Sequence, residues 1–387
     1  MRLSVYTDYA YQRRGDAIYA ERAFAIFLVR LAGSFEGFVL VGRELQGGDA
    51  QRYLIPAHID FVGLPYYRTL ARPTEAAGGM VESLRRFWRS LDAVDAVWLL
   101  GPHPLSIAFA VLALIRGRRV VLGVRQDFPT YVRSRHPDGR GLRLAGWVLE
   151  WTYRAMARVL PTVVVGPALR ENYRHARRLH ELTVSLVESG DLVDPATASR
   201  RSYEGTLRAL SVGRLEAEKN PLLLADVLAE LRGSGQDWRL IVCGEGPLEA
   251  ELARRLDQLG VSEHADFHGY VPFERMRDIY RSSHALLHVT WTEGLPQVLL
   301  EALAAGLPIV ATEVGGIGAA MGGAAMLVPP DDPHAAARAL EEVARDGQLR
   351  GRLIEAGLAR VARHTIDRET ARLASFLKAS DSEPTRD

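Results

Sequence analysis

The sequence predicts an α/β protein made of two doubly wound units in succession, and three observations support this fold class. The chain has 387 residues, more than one hydrophobic core usually serves. In each half, short β-branched runs alternate with helical patterns, as in parallel sheets covered by helices on both faces. A polar, proline-containing stretch at 187–204 interrupts the alternation. We therefore predict a domain over 1–190, a second over 204–365, and a segment 366–387 whose helix packs back on the first domain before a disordered tail.

The elements of the first half follow from its apolar patterns. The run RLSVYT predicts an opening strand, and the pattern IYAERAFAIFLVRLAG predicts a helix from Ile18 to Gly33. Strands are then predicted at FVLVG, IDFVGLP, AVWLLG, RVVLGVRQD and VVVGP, with helices at MVESLRRFWRSL, LSIAFAVLALIRG and LRLAGWVLEWTYRAMARV.

The second half restarts the alternation with the strand LRALSVGRL and the helix NPLLLADVLAELRGSG. Strands are then predicted at WRLIVCGEGP, ADFHGY, ALLHVT, PIVATE and AAMLVPP, with helices at LEAELARRLDQLG, FERMRDIYRSS, PQVLLEALAAG and DPHAAARALEEVARD. Open sheets of this kind bind ligands beyond the carboxyl ends of their strands. Two such units facing each other would enclose a cleft there, so the loops after the strands are where functional residues are expected.

Composition excludes several classes of protein. The single cysteine, Cys243, excludes an intramolecular disulfide and fits a cytoplasmic location. The longest apolar stretch, 105–115, is far shorter than the ~20 residues of a membrane-spanning helix. Residues 1–190 hold 26 Arg against 17 acids, and the remainder holds 22 Lys and Arg against 30 acids. No nucleic-acid partner is expected. The basic first half suits an acidic acceptor, the inner face of an anionic membrane, or the other half of the chain.

Two loops of the second half carry residues suited to a phosphate. Arg214 and Lys219 lie just beyond a predicted strand, where a guanidinium fork and a mobile ammonium could bind a diphosphate. A solvated loop with ordinary charges is the alternative. The next strand ends in Gly244-Glu245-Gly246, whose glycines allow a close backbone approach to a ligand or simply form a tight turn.

The most informative stretch is TEGLPQVLLEALAAGLP, because it carries two carboxylates in an apolar segment. A helix is predicted over 296–305, with Pro296 as its first residue and Gly306 at its end. Glu293 then precedes the helix and Glu301 lies inside it, roughly 8 Å further along the axis. Two carboxylates so spaced could bind hydroxyls at two ends of one elongated ligand. An ion pair with Arg214 or another arginine is the alternative for Glu301.

These motifs together resemble the family-4-type retaining glycosyltransferases of GT-B fold, also called glycosyl transferases group 1. The resemblance covers roughly 205–345 and is carried by VGRLEAEKN, VCGEGP, VPPDDPHAAARAL and above all the Glu-seven-residues-Glu signature followed by Ala-x-Ala-x-Gly-x-Pro. It implies a GT-B fold, in which two Rossmann-like doubly wound domains face each other across a cleft. It also implies transfer of a hexosyl or N-acetylhexosaminyl group from a nucleotide-diphosphate sugar, with UDP preferred to GDP as the nucleotide.

The resemblance also implies roles for individual residues. Arg214 and Lys219 would stabilise the diphosphate leaving group, Glu293 would contact the transferred sugar, and Glu301 would hold the ribose. The remaining implied donor contacts are backbone at Gly294, Leu295 and Pro296, the loop at Gly244 and Glu245, and Tyr270 and Val271 at the base. No Asp-x-Asp motif follows a strand, so no metal and no cofactor are predicted. Retention of configuration is implied by the family.

The first half departs from the family pattern at two places. A glycine-rich loop that faces the diphosphate or the acceptor is expected after the first strand, where this chain has only Gly15 beside Arg13, Arg14 and Asp16. Gly15 and Asp16 are therefore predicted to lie on the acceptor side, and the two arginines could bind an acidic acceptor or be solvated. The family has a His-Asp or His-Glu pair near the reacting centre after a later strand, where this chain has Gln126 and Asp127. These two residues are therefore the catalytic candidates of the first half, and Gln126 is also a candidate on the acceptor side. Glutamine cannot titrate, so an acid–base role is not expected of it.

Two further features of the first half have open interpretations. His103 also follows a predicted strand and is an alternative acceptor-side histidine. The basic, Trp-containing stretch 139–160 could lie on anionic lipid, or pack on its own sheet with arginines on its solvent face. A small molecule, a glycan or a lipid-linked sugar would suit the family as acceptor. Another GT-B enzyme, such as an epimerase or phosphorylase, and a non-catalytic sugar-nucleotide-binding relative are the alternative functions.

Overall fold

The computed structural model describes residues 1–47, 52–67, 73–135, 139–293 and 296–379. The chain divides into two compact units. The first unit comprises Met1–Val184 and the C-terminal segment from Ile366, and the second comprises Ser185–Thr365. Within the described ranges, no helix combines the length and the apolar character that crossing a membrane requires.

The first unit alternates strands and helices along most of its length. Its elements are β1 (Arg2–Arg14), β2 (Ala17–Ala20), α1 (Phe24–Ala32), β3 (Gly37–Gln46), β4 (Tyr53–Ile55), β5 (Asp60–Pro65), α2 (Pro73–Ser90), β6 (Ala96–Gly101), α3 (Pro104–Ile115), β7 (Arg119–Val124), α4 (Phe128–Arg135), α5 (Arg140–Ala157), β8 (Thr162–Val165), α6 (Pro167–Asn172) and β9 (Leu179–Leu182). Parallel pairing joins them in the order β5-β3-β1-β6-β7-β8-β9.

The first strands and the first helix of this unit differ from the sequence prediction. The first strand does not end near Thr7 but continues to Arg14, and the predicted start of the helix forms β2, which pairs antiparallel with β1 and with β4. The helix itself begins only at Phe24. The register between β1 and β3 shifts between Tyr6 and Ala10. Such bulges redirect side chains and occur often beside functional sites, and this one contains Asp8.

The second unit is built on a parallel sheet with the order β12-β11-β10-β13-β14-β15. Its elements are α7 (Pro195–Ser199), β10 (Leu207–Val212), α8 (Leu223–Gly233), β11 (Trp238–Cys243), α9 (Glu249–Gln258), β12 (Ala265–Gly269), α10 (Phe273–Ser282), β13 (Ala285–His288), α11 (Gln297–Ala304), β14 (Ile309–Thr312), α12 (Ile317–Met321), β15 (Met326–Val328), α13 (Pro333–Arg345) and α14 (Gly347–Val361). The sequence prediction contains no counterpart of α7, α12 or α14, and in the first unit none of β4, α4, α6 or β9.

The last helix, α15 (Ile366–Lys378), belongs to the first unit. It contacts α1 and β9 and buries Leu373, Phe376 and Leu377. Phe376 stacks on His180 of β9 with the ring centres 5.1 Å apart. The predicted tail, 380–387, lies outside the described residues.

The apolar stretch around the two carboxylates lies in the core of the second unit. All four residues of β13 and of β14 are buried, and α11 between them buries Leu299, Leu300 and Leu303. Gly306 follows α11 with φ +58°, the left-handed conformation that favours glycine at a helix end. Pro296 caps the helix in an extended conformation and is not its first helical residue. Burial on both sides explains why this segment is almost continuously apolar.

Candidate active site

Most candidate site residues of the second unit lie in loops at the carboxyl edge of its sheet, and Glu301 lies in helix α11. These loops follow β10, β11, β12, β13 and β14, strands that are neighbours in the sheet. A parallel sheet brings such loops together because all its strands end at the same edge.

Lys219 and Glu293 form the central contact of this edge. The Lys219 ammonium donates to Oε2 of Glu293, and the two side chains are only 20% and 18% exposed. The short turn that carries Lys219 is tied to the chain after β13. The Glu218 carbonyl accepts from the Trp291 amide at 3.0 Å and from the Thr290 hydroxyl at 2.9 Å. Residues 74 apart in sequence are therefore held as one cation–carboxylate pair.

The loop after β14 supports Glu293 through its backbone. The Gly316 amide donates to the Glu293 carbonyl at 3.3 Å. Gly315 has φ +54°, and a Cβ atom there would lie 2.0 Å from that same carbonyl oxygen. A larger residue at 315 would push the two loops apart, so glycine is required for the position of Glu293.

Arg214 pairs within its own loop. Its guanidinium donates to Glu216 and to Glu218, the latter at 3.0 Å. Its side chain is 48% exposed, so these contacts are weak and exchangeable. The two cations of the site thus face three carboxylates, and a bound diphosphate would have to replace carboxylate partners of both Arg214 and Lys219.

The Gly244-Glu245-Gly246 loop has a packing role. Gly244 has φ +138°, and a Cβ there would lie 1.8 Å from the carbonyl oxygen of Gly213. The backbone of Glu245 accepts from the Leu215 amide at 3.0 Å, and its carboxylate accepts from the Tyr270 amide at 3.1 Å. Glu245 therefore shapes the loop that carries Tyr270 and Val271, and the glycines let neighbouring loops touch.

Glu301 is part of a groove between α10 and α11. Its carboxylate accepts from the Tyr280 hydroxyl at 2.8 Å. Burial raises the pKa of Glu301 above its usual value, although the Tyr280 hydrogen bond opposes that rise. Among the described residues, the partner of Glu301 is therefore a tyrosine and not the arginine of the alternative interpretation. The arginine of the same groove, Arg277, pairs with Asp191. Phe273 lines the same groove, so Glu301 is a polar group beside an apolar surface.

His288 is a residue that the sequence prediction missed. It ends β13 and is only 6% exposed. Burial, and then the charge of Lys219, lowers the pKa of His288 to about 3, so its imidazole is neutral. The signal that could have identified His288 in the sequence is a histidine at the end of an apolar strand pattern shortly before Glu293. Of the other predicted residues, Gly294 and Leu295 lie outside the described residues.

The glycine loop expected in the first unit is a hairpin turn. Gly15 and Asp16 are the exposed turn between β1 and β2. Arg13 donates twice to Glu44, at 2.8 and 3.2 Å, so it is engaged in a cross-strand ion pair. The acceptor-side role predicted for Gly15 and Asp16 depended on a loop between a strand and a helix, and that loop does not exist in this fold.

Gln126 and Asp127 follow β7 but form no paired site. Gln126 is exposed. Asp127 accepts from the Thr130 amide at 2.9 Å and from the Asn172 side chain at 3.3 Å. The Thr130 contact satisfies the amino-terminal end of α4, so the geometry gives Asp127 a capping role.

His103 is buried between two tyrosines. Nδ1 accepts from the Leu105 amide at 3.2 Å and lies 3.2 Å from the Tyr6 hydroxyl, and Nε2 lies 3.1 Å from the Tyr67 hydroxyl. Burial lowers the pKa of His103 to about 4, so the ring is neutral. Because Nδ1 accepts, the proton resides on Nε2 and points to Tyr67.

Asp8 and Arg125 form a charged contact near His103 that the sequence prediction also missed. Arg125 follows β7 and donates to the Asp8 carboxylate. Burial raises and the Arg125 charge lowers the pKa of Asp8, and the result lies below the ordinary value. Arg43 donates to the backbone oxygens of Asp8 and Tyr67, both at 2.7 Å. Two cations and one carboxylate therefore leave a net positive charge at the carboxyl edge of this sheet.

The two units and their loop sites define a GT-B architecture, and known structures share it. The structure of WaaG, a glycosyltransferase involved in lipopolysaccharide biosynthesis, matches 98% of this chain and 100% of its own with a TM-score of 0.70 at 16% identity. Anabaena Alr3699/HepE in complex with UDP matches with a TM-score of 0.72 at 14% identity, over 97% of this chain and 99% of its own. The predicted fold class is confirmed.

Sequence comparisons match the same family. The sequence model of glycosyl transferases group 1 matches residues 195–360, so the predicted resemblance is confirmed. The D-inositol 3-phosphate glycosyltransferase of Corynebacterium urealyticum is 29% identical over 92% of this chain and 89% of its own length. The alpha-D-kanosaminyltransferase of Streptomyces kanamyceticus is 25% identical over 57% of this chain and 61% of its own. The family match and these named relatives support a transferase activity.

Proposed function

We propose that the chain is a retaining, metal-independent glycosyltransferase that moves a sugar from a nucleotide-diphosphate sugar to a hydroxyl acceptor. The observation that carries this proposal is the Lys219–Glu293 pair at the carboxyl edge of the second sheet. One member suits the diphosphate of a donor and the other suits the hydroxyls of its sugar. A hexosyl or N-acetylhexosaminyl group and UDP as the nucleotide are part of the proposal.

Charge stabilisation of the leaving group is the main chemical contribution. When the bond between the sugar anomeric carbon and the phosphate oxygen breaks, the electron pair goes to the diphosphate and the sugar becomes oxocarbenium-like. Cations aimed at that oxygen bind the transition state more strongly than the ground state. Lys219 and Arg214 would take this role by exchanging their carboxylate partners for phosphate oxygens. Each charge-assisted contact is worth ~1.5–3 kcal/mol.

Glu293 and Glu301 would position the donor. Released from Lys219 by the phosphate, Glu293 could accept hydrogen bonds from the hydroxyls of the transferred sugar. Glu301, held by Tyr280, could accept from the ribose hydroxyls. The Tyr270–Val271 loop, held by Glu245, would lie at the base. A ligand that spans these groups is elongated, anionic and rich in hydroxyls, as a sugar nucleotide is.

The proton of the acceptor hydroxyl would pass to the leaving phosphate oxygen as the new bond forms on the same face of the sugar. Gln126 cannot take a proton, Asp127 caps a helix and His103 is a buried hydrogen-bonded ring. These properties favour a route that uses no protein base in the first unit, consistent with a retaining reaction and with no metal or cofactor.

The acceptor is proposed to bind at the first unit. The net positive cluster of Asp8, Arg43 and Arg125 suits a small-molecule, glycan or lipid-linked acceptor that carries a phosphate or carboxylate. A relative that is named a D-inositol 3-phosphate glycosyltransferase supports this class. A cytoplasmic location, with contact to the inner face of a membrane, completes the proposal.

Nucleotide release tests the proposal. Purified protein is incubated with UDP- and GDP-sugars and a broad acceptor set, in buffer with a chelator, and the freed nucleotide diphosphate is measured. We expect release that depends on an acceptor, persists with chelator and falls ~10–100-fold in Arg214→Ala. An epimerase would convert the donor without releasing nucleotide. A non-catalytic relative would bind nucleotide sugar and release nothing.

A further inference from the structure

Helix α5 is apolar on two opposite faces. One face is buried against the first unit through Gly146, Leu149, Tyr153 and Ala157. The opposite face carries large apolar side chains in solvent, namely Leu144 at 64% exposure, Trp147 at 59%, Val148 at 48% and Trp151 at 59%. A surface helix normally turns charged and polar residues outward. An exposed apolar patch of this kind marks a contact with another surface.

The four exposed side chains form one continuous stripe. Their spacing of three, one and three residues places them on a single face of the helix over about two turns. Both tryptophans are among them, one turn apart. The helix packs on its own unit with exposed arginines, as the sequence alternative predicted, but its solvent face carries this apolar stripe as well. We call these four residues the outer stripe.

Cations border the outer stripe at both ends. Arg140 begins α5, four residues before Leu144. At the other end, Arg154 lies three residues after Trp151, and Arg158 is the C-cap residue of the helix. The one acidic residue in the sequence of this helix, Glu150, is on the inner face, where its side chain is 5% exposed and pairs with Arg154 at 2.9 Å. The face that meets solvent is thus apolar at its centre, with Arg140 at one end and, beyond the Arg154–Glu150 pair, Arg158 at the other.

This charge pattern selects the occupant. A two-fold contact between copies of the chain would bring two cationic faces together, which like-charge repulsion opposes. An anionic bilayer offers phosphates to the arginines and a headgroup–acyl boundary to the tryptophans, the position that amphipathic aromatic rings prefer.

We propose that the outer stripe docks the first unit on an anionic lipid surface, with α5 lying in the plane of the interface. The inference specifies a surface for the membrane contact included in the proposed function. Its test uses no donor and no acceptor, so it stands or fails separately from glycosyl transfer.

Vesicle co-sedimentation with the full chain tests this proposal. The probes are vesicles of phosphatidylcholine alone and of equal parts phosphatidylcholine and phosphatidylglycerol. The stripe variant is Trp147→Ser with Trp151→Ser. The matched control is Leu54→Ser with Val81→Ser, which removes two apolar side chains of similar exposure, 57% and 68%, elsewhere on the first unit. Melting temperatures and circular dichroism verify that each variant is folded.

We expect the wild type to bind the phosphatidylglycerol vesicles and to bind pure phosphatidylcholine far more weakly. The stripe variant should lose at least about tenfold in partition coefficient, because binding scales with inserted apolar area, and the control should match the wild type. Arg140→Gln with Arg158→Gln should weaken binding and reduce its salt dependence.

Three results would overturn the proposal. The wild type could fail to bind phosphatidylglycerol vesicles, or the stripe variant could bind them as well as the control does. Sedimentation velocity could also reveal a wild-type dimer that the stripe variant dissociates, which would make the outer stripe a self-association surface.

Discussion

Replacing Lys219 by glutamine is the perturbation that most directly probes the paired site. Glutamine is neutral and of similar length, so Lys219→Gln removes the charge and leaves most of the packing. The side chain is only 20% exposed and contacts Glu293. Loss of one charge-assisted contact to a diphosphate costs ~1.5–3 kcal/mol, or ~10–100-fold in affinity. The unpaired Glu293 carboxylate would also repel the diphosphate, so we expect a loss towards the upper end.

Glu293→Gln should behave in the opposite way towards the nucleotide alone. It releases Lys219 from its carboxylate partner, so UDP affinity should stay the same or rise. Any higher affinity of UDP-glucose relative to UDP should be lost, because a neutral amide accepts hydrogen bonds from the sugar hydroxyls less strongly than a carboxylate does. In the double variant, the loss of UDP affinity should be smaller than in Lys219→Gln, since the repelling carboxylate is gone. Coupling of contacting residues is typically ~0.5–3 kcal/mol.

Isothermal titration calorimetry with UDP, GDP and UDP-glucose measures these affinities. Lys378→Gln is the matched control, because it removes the other lysine of the chain, which lies in α15 of the first unit. If Lys219→Gln binds nucleotide as the wild type and Lys378→Gln do, Lys219 does not contact the diphosphate. If Glu293→Gln weakens UDP as much as UDP-glucose, Glu293 does not act on the sugar.

Three further changes follow from the site geometry. Gly315→Ala should weaken UDP binding measured by calorimetry, because the added Cβ would clash with the Glu293 carbonyl. Gly205→Ala is the control: Gly205 also has a positive φ, +74°, but a Cβ there meets no other atom. It therefore reports only the ~1–2 kcal/mol cost of placing alanine in a left-handed conformation. Burial raises the pKa of Glu301, so its contribution to the free energy of unfolding is present at acidic pH and lost as the pH rises. The stability of Glu301→Gln relative to the wild type, measured by urea unfolding, should therefore increase with pH. A stability difference that is the same at all pH values would refute this. The pKa of His103 is lowered from 6.5 to about 4. Its contribution to the free energy of unfolding is therefore fully present above pH 6.5 and falls by about 1.4 kcal/mol per pH unit as the pH drops to 4. His103→Gln should remove this pH-dependent loss of stability, as measured by urea unfolding.

The second unit was predictable because its parallel strands are buried on both sides. Their apolar runs, and the glycines and prolines between them, appear directly in the sequence. The helix predicted over 296–305 is observed at Gln297–Ala304. The two carboxylates stood out because few charged groups occur in such a segment. Their partners could not be predicted, since Lys219 lies 74 residues from Glu293 in sequence and Tyr280 reaches Glu301 from another helix.

The first unit was predicted less well because tertiary pairing overrides its local pattern. Residues 17–20 fit an amphipathic helix, yet β1 and β4 hold them as a strand, which converts the expected glycine loop into a hairpin. Asp8 and Arg125 lie 117 residues apart in sequence and meet only in the fold. The outer face of α5 illustrates a further limit. Its Leu and Trp residues predict an amphipathic helix, but only the structure distinguishes the face that remains in solvent.

Binding of a nucleotide diphosphate at the Lys219–Glu293 pair is the central claim, and a thermal-shift comparison tests it most directly. Wild type, Lys219→Gln and Lys378→Gln are each melted with and without UDP and GDP in chelator-containing buffer. A ligand that binds only the folded state raises the melting temperature, and a tighter ligand raises it further at the same concentration. We predict that UDP raises the melting temperature of wild type and Lys378→Gln and has little effect on Lys219→Gln. Equal shifts in all three proteins, or no shift of the wild type with either nucleotide, would contradict the claim.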